Sequence, residues 1–290
     1  MTTSLGVDVG GTKIQFCTVD ADFVARPLSR TPTALMRRGT RKFADDLAEL
    51  IRATCPPGVA RIGVTLNGVL DGGNVVYSSL MGGNVDFPLD SFLRDRLGLD
   101  VTVDDDLHAM GIAEAHLGMG RGLRSFALLN LGTGIGVGVY DDGRIVRGTY
   151  AAGLISEQLV YVEELGEYRS LDRTVCGRGL RELYLQLGGE AVDGITIFAR
   201  ARAGEAVATR VVELFSRYLG EAMQMISRFY HPGRIVINGS IKRAAADYLA
   251  RAEAVYRAGL QRAFQTEIVV SQLEHAAELG TVVASRGGQA

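Results

Sequence analysis

A short segment near the start of the chain combines an acid, two glycines, a hydroxyl group and a cation. It follows an alternating apolar run typical of a strand and reads Asp8-Val-Gly-Gly-Thr-Lys13. Two glycines let the backbone turn tightly, and the N–H groups of such a turn form a concave site for an anion. Apolar residues resume at Ile14, so the pattern predicts a phosphate-holding β-hairpin, unlike the strand-to-helix loops of Walker and dinucleotide motifs. A Gly-Gly hairpin alone also suits a plain structural turn, and both interpretations stay open at this point.

The middle of the chain repeats this arrangement. The apolar run Ser125–Leu131 is followed by Gly132-Thr-Gly134, and apolar residues return over Val137–Tyr140. The pattern predicts a second β-hairpin whose turn can hold phosphate. Two such hairpins that face one cleft are more specific evidence for phosphate binding than either hairpin alone.

Three consecutive acids, Asp104, Asp105 and Asp106, stand between an apolar run at 101–103 and a helical pattern that extends to about Leu117. Such a junction predicts helix capping, because carboxylates accept hydrogen bonds from the free N–H groups of the first helical turn. A carboxylate in this place can also serve as a general base toward a hydroxyl group. The two roles are compatible, since different members of the triplet can take them.

The composition excludes several classes of protein. The 290 residues carry a net charge of −2 without a block of like charges, which argues against nucleic acid or a membrane surface as a partner. An apolar content of 47% and a charged content of 22% are typical of a soluble globular protein long enough for two domains. Three distant cysteines and the lack of a secretory or membrane-spanning run predict a cytoplasmic protein without structural zinc. None of the four histidines has a metal-ligating partner at a suitable spacing in the sequence.

Strand and helix patterns alternate along the chain, which predicts an α/β fold. Besides the two hairpins, strands are expected at 23–28, 61–66, 75–77, 101–103, 144–147, 234–237 and 266–270. Helices are expected at 34–53, 89–97, 107–117, 171–187, 193–203, 206–229, 248–264 and 275–285. The segment 78–88 is rich in glycine and polar residues and is expected to be an irregular loop.

Five segments, in this order, make the chain similar to the ROK family of sugar kinases within the actin-like ATPase superfamily. They are VDVGGTKI (7–14), VDDDLHAMGIAEAHLGMGRG (103–122), LNLGTGIGVGVYDDGRIVRG (129–148), CGRGLRELY (176–184) and HPGRIVINGS (231–240). The resemblance implies two actin-like, ribonuclease H-like α/β domains with a cleft between them. The small domain would comprise 1–105 plus 275–290, and the large domain 106–274. A homodimer and the use of ATP and Mg²⁺ are implied as well.

The resemblance gives roles to the hairpins and to the acids. Asp106 is expected to be the general base on the attacking hydroxyl group, and Asp8 to hold Mg²⁺ through water. The residues expected to bind the nucleotide are Asp8, Gly10, Gly11, Thr12, Lys13, Gly132, Thr133, Gly134, Asn238, Gly239 and Ser240. The last three would line the adenosine side, and Lys13 would either neutralise phosphate charge or lie on the surface.

The expected acceptor site is where the chain departs from the family pattern. Asp104-Asp105-Asp106 replaces a common Glu-Asn-Asp, and Gly153-Leu-Ile-Ser-Glu157 replaces Gly-Glu-Ile-Gly-His. The cysteine cluster of the family's zinc loop is missing from the sequence. The residues expected to contact the acceptor are Asn67, Gly83, Asn84, Asp86, Asp105, Asp106, Gly153, Glu157 and Asp172.

The additional acids Asp105 and Glu157 favour an acceptor other than glucose, such as an amino sugar or an (amino)cyclitol, because buried polar mismatches discriminate strongly between substrates. In the alternative, both acids are solvated and the chain is an ordinary hexokinase or glucokinase. A non-catalytic sugar-responsive regulator is a further alternative. Regulators of the family carry a DNA-binding segment ahead of the kinase-like part, whereas here the first hairpin follows the start of the sequence closely, which favours an enzyme.

Overall fold

The computed structural model describes residues 3–149 and 152–287. Its strands are β1 (Ser4–Val9), β2 (Lys13–Val19), β3 (Ala25–Pro32), β4 (Arg61–Leu66), β5 (Val69–Asp71), β6 (Asn74–Ser78), β7 (Gly83–Pro88), β8 (Asp100–Asp104), β9 (Ser125–Leu131), β10 (Ile135–Asp141), β11 (Arg144–Ile145), β12 (Leu159–Val162), β13 (Glu167–Ser170), β14 (Arg234–Asn238) and β15 (Glu267–Val270). Its α-helices are α1 (Thr40–Thr54), α2 (Leu89–Leu97), α3 (Asp106–Leu117), α4 (Gly177–Gln186), α5 (Gly194–Arg202), α6 (Ala206–Tyr230), α7 (Ala245–Ala258) and α8 (Ala276–Ser285).

These elements form two units. Unit 1 comprises residues 1–122, 143–152 and 272–290, and unit 2 comprises 123–142 and 153–271. The division differs from the expected one over residues 106–122, 143–152 and 272–274, which belong to unit 1. Helix α3 packs against α8, and both helices lie in that unit. Residues 1, 2, 150, 151 and 288–290 belong to the expected domain spans and lie outside the described residues.

Unit 1 is built on a five-stranded sheet in the order β3-β2-β1-β4-β8. Strands β1 and β2 form the predicted antiparallel hairpin, and β4 and β8 continue the sheet in parallel. Alternate residues of β1 such as Leu5 and Val7 share a buried core with α1. Gly6 lies between these two residues in β1, and a side chain there would collide with Glu278 of α8. A side chain at Gly63 in β4 would collide with Thr281 of the same helix. The glycines therefore let α8 lie close to the sheet.

Unit 2 contains a second sheet, in which four strands run in the order β10-β9-β14-β15. Strands β9 and β10 are the second predicted hairpin, and β14 is parallel to both β9 and β15. Helices α5, α6 and α7 pack together through the buried rings of Phe198, Phe215 and Tyr248, whose centroids are 5.1–6.1 Å apart. Among the described residues, no helix combines the length and the apolar character needed to cross a membrane.

Most expected elements are present, and the main differences are the following. The segment 78–88 was expected to be irregular, but Gly83–Pro88 forms β7, in which Val85 and Phe87 pack on the core and alternate with exposed residues. The helix expected at 34–53 begins at Thr40, and the one expected at 171–187 begins at Gly177 after a 3₁₀ turn. The helix expected at 248–264 covers 245–258, and Gly259 caps its C-terminal end. The antiparallel pair β12 and β13 is a further difference, because the sequence patterns did not predict it.

Candidate active site

The turn of the first hairpin closes on its own backbone and leaves its outer side open. The N–H of Gly10 donates to the carbonyl oxygen of Lys13 at 3.0 Å, and Thr33 Oγ1 donates to the Gly10 carbonyl oxygen at 2.8 Å. Gly11 and Thr12 are exposed, and a methyl group added at Gly11 would meet no described atom within 4 Å. The fold therefore does not itself require glycine at position 11.

Asp8 lies in β1, directly beside this turn. Its Oδ1 accepts a hydrogen bond from Thr65 Oγ1 at 2.7 Å, across the parallel pairing of β1 with β4. Burial and the negative charge of Glu278 raise the pKa of Asp8 to about 6, although Thr65, Lys13 and His275 act in the opposite direction. A nearby cation would stabilise the charged form of this buried carboxylate. Its hard oxygen donors fit Mg²⁺.

The three acids of the triplet have different partners in the structure. Asp104 is the first of them. This residue ends β8 and is 8% exposed. Its two oxygens accept hydrogen bonds from the Arg147 guanidinium at 2.9 and 2.8 Å, and the ring of His108 lies 3.4 Å away. Burial alone would raise the pKa of Asp104, but the hydrogen bonds from Arg147 and His108 outweigh it and lower the pKa to about 2. Asp104 is therefore a structural anion.

Asp105 caps α3, and helix capping is one of the two roles expected for the triplet. Its Oδ1 accepts from the backbone N–H of His108 at 2.9 Å, and its Oδ2 contacts the His108 imidazole. The residue is 6% exposed. Asp105 was expected to contact the acceptor as an additional acid, but both of its oxygens already have partners within the fold. The imidazole also offsets its charge, so Asp105 no longer argues for a cationic acceptor.

Asp106 is the remaining acid. Its Oδ1 accepts from the backbone N–H of Leu107 at 3.1 Å. Among residues 3–149 and 152–287, its carboxylate has no side-chain hydrogen bond or ion pair, in contrast to Asp104 and Asp105. Burial raises its pKa to about 7, and the charges of Asp105 and Asp8 add to this effect. A carboxylate with such a pKa accepts a proton effectively near neutral pH.

The ion-pair network around His108 predicts a pH-dependent stability. Burial opposes ionisation of His108, but Asp104 and Asp105 raise its pKa from 6.5 to about 9. A raised pKa stabilises the folded state at low pH. This contribution is complete below about pH 6.5 and is lost as the pH rises to about 9, with a slope of at most about 1.4 kcal/mol per pH unit. Urea unfolding across this range should show the decline in the wild-type protein and a shallower one in His108→Asn. Equal slopes in both proteins would contradict the assignment.

The turn of the second hairpin is supported by the start of α4. Gly177 N–H donates to the Gly132 carbonyl oxygen at 2.9 Å, and Arg178 N–H donates to the Thr133 carbonyl oxygen at 3.3 Å. The turn itself closes through a hydrogen bond from Gly132 N–H to the Gly134 carbonyl oxygen at 3.0 Å. A methyl group at Gly132 would lie no closer than 3.9 Å to any atom. The sequence predicted this turn but not the support from Gly177 and Arg178.

Asp172 lies against the same turn. Its Oδ1 accepts from the Ile135 N–H at 3.2 Å, and its Oδ2 is 3.3 Å from Arg178 Nη1. An added Cβ at Gly134 would be 2.6 Å from Asp172 Oδ1, so glycine at 134 is what allows this approach. Asp172 was expected to contact the acceptor. Its described contacts instead connect it to the turn of the second hairpin.

The strand end at Asn238 lies beside the second hairpin in unit 2. Strand β14 pairs with β9 so that Asn238 is opposite Asn130, and Asn238 Oδ1 accepts from the Gly239 N–H at 2.7 Å. Gly239 has a φ of +87°, and an added Cβ there would lie 2.6 Å from Asn130 Oδ1 and would also meet the Leu131 carbonyl oxygen. The expected adenosine segment is thus brought to the end of β9, where the turn of the second hairpin begins. Nothing in the local sequence of Asn130 indicated its closeness to Gly239.

The other expected acceptor residues have fewer contacts. Asn67, Asn84 and Asp86 are exposed in unit 1, and Asp86 accepts from Asn74 Nδ2 at 2.9 Å. Glu157 is exposed in unit 2, after Gly153, whose φ is +85°. Unit 1 holds Asp8, Gly10, Gly11, Thr12, Lys13, Asn67, Gly83, Asn84, Asp86, Asp105 and Asp106. Unit 2 holds Gly132, Thr133, Gly134, Gly153, Glu157, Asp172, Asn238, Gly239 and Ser240.

Comparison with known proteins identifies the family of the chain. The ROK family model matches residues 4–285. An N-acetylmannosamine kinase from Citrobacter koseri is 27% identical over 281 residues, covering 90% of this chain and 93% of that protein. A glucokinase from Halalkalibacterium halodurans is 29% identical over 269 residues, covering 83% of this chain and 81% of that protein.

Solved structures share the fold. A ROK family glucokinase from Streptomyces griseus, in complex with glucose and AMPPNP, superimposes with a TM-score of 0.82 at 20% identity. The match covers 98% of this chain and 99% of the glucokinase. The fold is therefore the two-domain actin-like ATPase fold. From the family match over nearly the whole chain, we conclude that the protein belongs to the ROK family and is a phosphotransferase with an alcohol group as its acceptor.

Proposed function

We propose that the protein is an ATP-dependent kinase that transfers the γ-phosphate to a hydroxyl group of a sugar or sugar-like acceptor, with Asp106 as the general base. The observation that carries this proposal is the contrast within the acid triplet. Asp104 is bonded to Arg147, and Asp105 accepts a hydrogen bond from the backbone of His108 at the start of α3. The Asp106 carboxylate has no such side-chain partner among the described residues, and its pKa is about 7.

The roles of the other residues follow from phosphoryl transfer. The reaction needs neutralised phosphate charge, a group that accepts the proton of the attacking hydroxyl, and alignment of the two. Asp106 accepts that proton, and the turns at Gly10–Lys13 and Gly132–Gly134 offer backbone N–H groups to the phosphates. Asp8 would hold Mg²⁺ through water, and bound Mg²⁺ supplies neutralisation of phosphate charge. The segment Asn238–Ser240 would line the adenosine side.

The acceptor is proposed to be a sugar or sugar-like compound other than glucose, such as an amino sugar or an (amino)cyclitol. Support comes from Glu157, an acid at a place where the family pattern has histidine, in the segment expected to contact the acceptor. The relatives include an N-acetylmannosamine kinase and, at similar identity, a glucokinase, so they do not choose between the two acceptor classes. The contribution of Asp105 to this argument is lost, since its oxygens have partners within the fold. The proposal of a cationic acceptor therefore depends on Glu157 alone.

A panel of acceptors tests this proposal. ADP formation from ATP would be measured with glucose, mannose, N-acetylmannosamine, N-acetylglucosamine, glucosamine and aminocyclitols. The highest kcat/KM is expected on an amino sugar or an aminocyclitol. In Glu157→Gln the preference for a free amine over its N-acetyl form should fall by about tenfold, equivalent to about 1.4 kcal/mol. The highest kcat/KM on glucose would contradict the proposed acceptor class but would leave the kinase assignment intact.

The homodimer and the cytoplasmic location expected from the sequence belong to the same proposal. Light scattering of the purified chain would test the dimer, with a mass of twice 31.1 kDa as the expected result. Fractionation of cells that produce the protein would test the location.

A further inference from the structure

Cys17, His275 and Glu278 bring three different metal-ligating atoms together in unit 1. Cys17 lies in β2, and the other two residues lie at the start of α8. The Cys17 Sγ is 3.4 Å from His275 Nδ1 and 3.5 Å from Glu278 Oε1, and the two latter atoms are 3.3 Å apart. Cys17 is fully buried and Glu278 is 3% exposed, whereas the His275 side chain is 27% exposed. One side of the cluster therefore borders the surface.

These distances match the edges of a tetrahedral metal site. Zinc bonds of about 2.3 Å to sulfur and about 2.0–2.2 Å to nitrogen or oxygen, at tetrahedral angles, separate the ligand atoms by about 3.4–3.6 Å. The three observed separations are 3.3–3.5 Å. A metal ion at these bond lengths would lie about 0.9 Å outside the plane of the three atoms, with the donors essentially unmoved. Its fourth position would be open to water.

The donor set also selects a class of metal. Thiolate and imidazole are softer ligands than carboxylates and carbonyls, so they suit Zn²⁺ and other borderline divalent ions and disfavour Mg²⁺. The second group with ligand potential, Asp104, Asp105 and His108, lacks sulfur and already contains the Arg147 guanidinium at 2.8–2.9 Å from Asp104. The Arg147 guanidinium already supplies a cation to that group. Of the two groups found among residues 3–149 and 152–287, the cluster of Cys17, His275 and Glu278 is therefore the one available to a metal of this class.

We propose that Cys17, His275 and Glu278 form a binding site for Zn²⁺ or a similar divalent transition metal. The spacing of the histidines in the sequence gave no indication of this group. His275 is 258 residues away from Cys17 along the chain and 3.4 Å away in the fold. His275 is the residue just before α8. Its backbone φ is +57°, which is uncommon for a residue other than glycine.

A metal ion in this site would join β2 to α8. The same helix packs on β1 and β4 of the sheet that carries the first phosphate hairpin. Glu278 also acts electrostatically on Asp8, the residue proposed to hold Mg²⁺. Occupancy of the site would therefore stabilise unit 1 and reduce the negative charge that acts on Asp8. The metal site does not depend on the identity of the acceptor.

Titration of the purified, chelator-treated full chain with Co²⁺ tests the site, because cobalt reports its ligands by absorption. One equivalent should bind per chain, with the charge-transfer absorption of a thiolate ligand and the strong visible bands of a four-coordinate ion. Zn²⁺ should displace it and raise the Tm, since a ligand that binds only the folded state stabilises it. In Cys17→Ser, His275→Asn and Glu278→Gln the affinity should fall by at least about 100-fold, because even outer-shell partners contribute 10–100-fold.

Cys55→Ser is the matched control. Cys55 is also in unit 1, and among the described residues its thiol donates to the carbonyl oxygen of Pro56, at 3.8 Å. The substitution should change neither affinity nor spectrum. A wild-type chain that binds no Co²⁺ stoichiometrically would overturn the proposal. So would charge-transfer absorption that persists in Cys17→Ser, or unchanged affinity in both His275→Asn and Glu278→Gln. If Cys17→Ser fails to fold, the other two variants decide the question.

Discussion

Asp106→Asn is expected to lower kcat by about 10²–10⁴-fold, the range that removal of a general base produces. The KM values for ATP and for the acceptor should stay within about threefold, because the lost interaction acts on the proton and not on ground-state binding. Asparagine has nearly the same shape as aspartate and keeps an oxygen for the Leu107 N–H, which is 3.1 Å from Asp106 Oδ1. The effect can therefore be attributed to the lost base. Steady-state kinetics with a coupled ADP assay would measure it.

The pH dependence of the same reaction gives an independent measure. A general base must be deprotonated in the free enzyme, and burial raises the pKa of Asp106 to about 7. The value of kcat/KM should therefore rise with pH up to about 7 and level off above it. The residual activity of Asp106→Asn should lack this inflection. An inflection near pH 7 that persists in the variant would assign it to another group.

Asp100→Asn serves as the control for Asp106→Asn. Asp100 lies at the other end of β8, is exposed, and is 3.5 Å from Arg61 in a surface ion pair. Such pairs contribute little, typically about 0–1 kcal/mol, so neither kcat nor stability should change much. A kcat for Asp106→Asn within about threefold of wild type would exclude Asp106 as the base, since a general base contributes at least about 100-fold.

The sequence allowed the two hairpins to be predicted because their signals are local. Alternating apolar residues on both sides of a Gly-rich turn define the strands and the turn together, and the pairings Val9 with Ile14 and Leu131 with Ile135 agree with this pattern. The position of α3 after the acid triplet was predictable for the same reason. Glycine-rich segments were harder. Strand β7 was missed because it begins with Gly83 and Asn84, which do not show the apolar alternation of a strand.

The partners of the polar side chains could not be predicted, because they are distant in the sequence. Arg147 is 43 residues from Asp104, and Asp172 is 37 residues from Ile135. Three adjacent aspartates look alike in a sequence, and only these long-range contacts decide which one keeps its charge, which one caps a helix and which one gains a pKa near neutrality. The difference between Asp105 and Asp106 is therefore a property of the fold.

Gly11→Ala and Gly132→Ala should impair ATP binding and leave the fold intact. A methyl group at Gly11 meets no described atom within 4 Å, and one at Gly132 lies at least 3.9 Å from its neighbours. Neither glycine has a positive φ, so alanine should keep or slightly raise stability, by about 0.4–1 kcal/mol. A phosphate held by the turn would meet the added methyl group. We expect KM for ATP to rise by about 10–100-fold, equivalent to about 1.4–2.8 kcal/mol.

Glycines that are required by packing give the opposite result and serve as controls. A Cβ at Gly63 would lie 2.5–2.7 Å from Thr281, and one at Gly220 would lie 2.6 Å from the Ala252 carbonyl oxygen. Gly63→Ala and Gly220→Ala should therefore lower the free energy of unfolding by about 1–3 kcal/mol, as overpacking does. At temperatures where these variants stay folded, their KM for ATP should be close to that of wild type. Kinetics and thermal unfolding of all four variants would thus separate glycines that make room for a ligand from glycines that make room for a helix. An unchanged KM in both Gly11→Ala and Gly132→Ala would contradict the role of the two turns in phosphate binding.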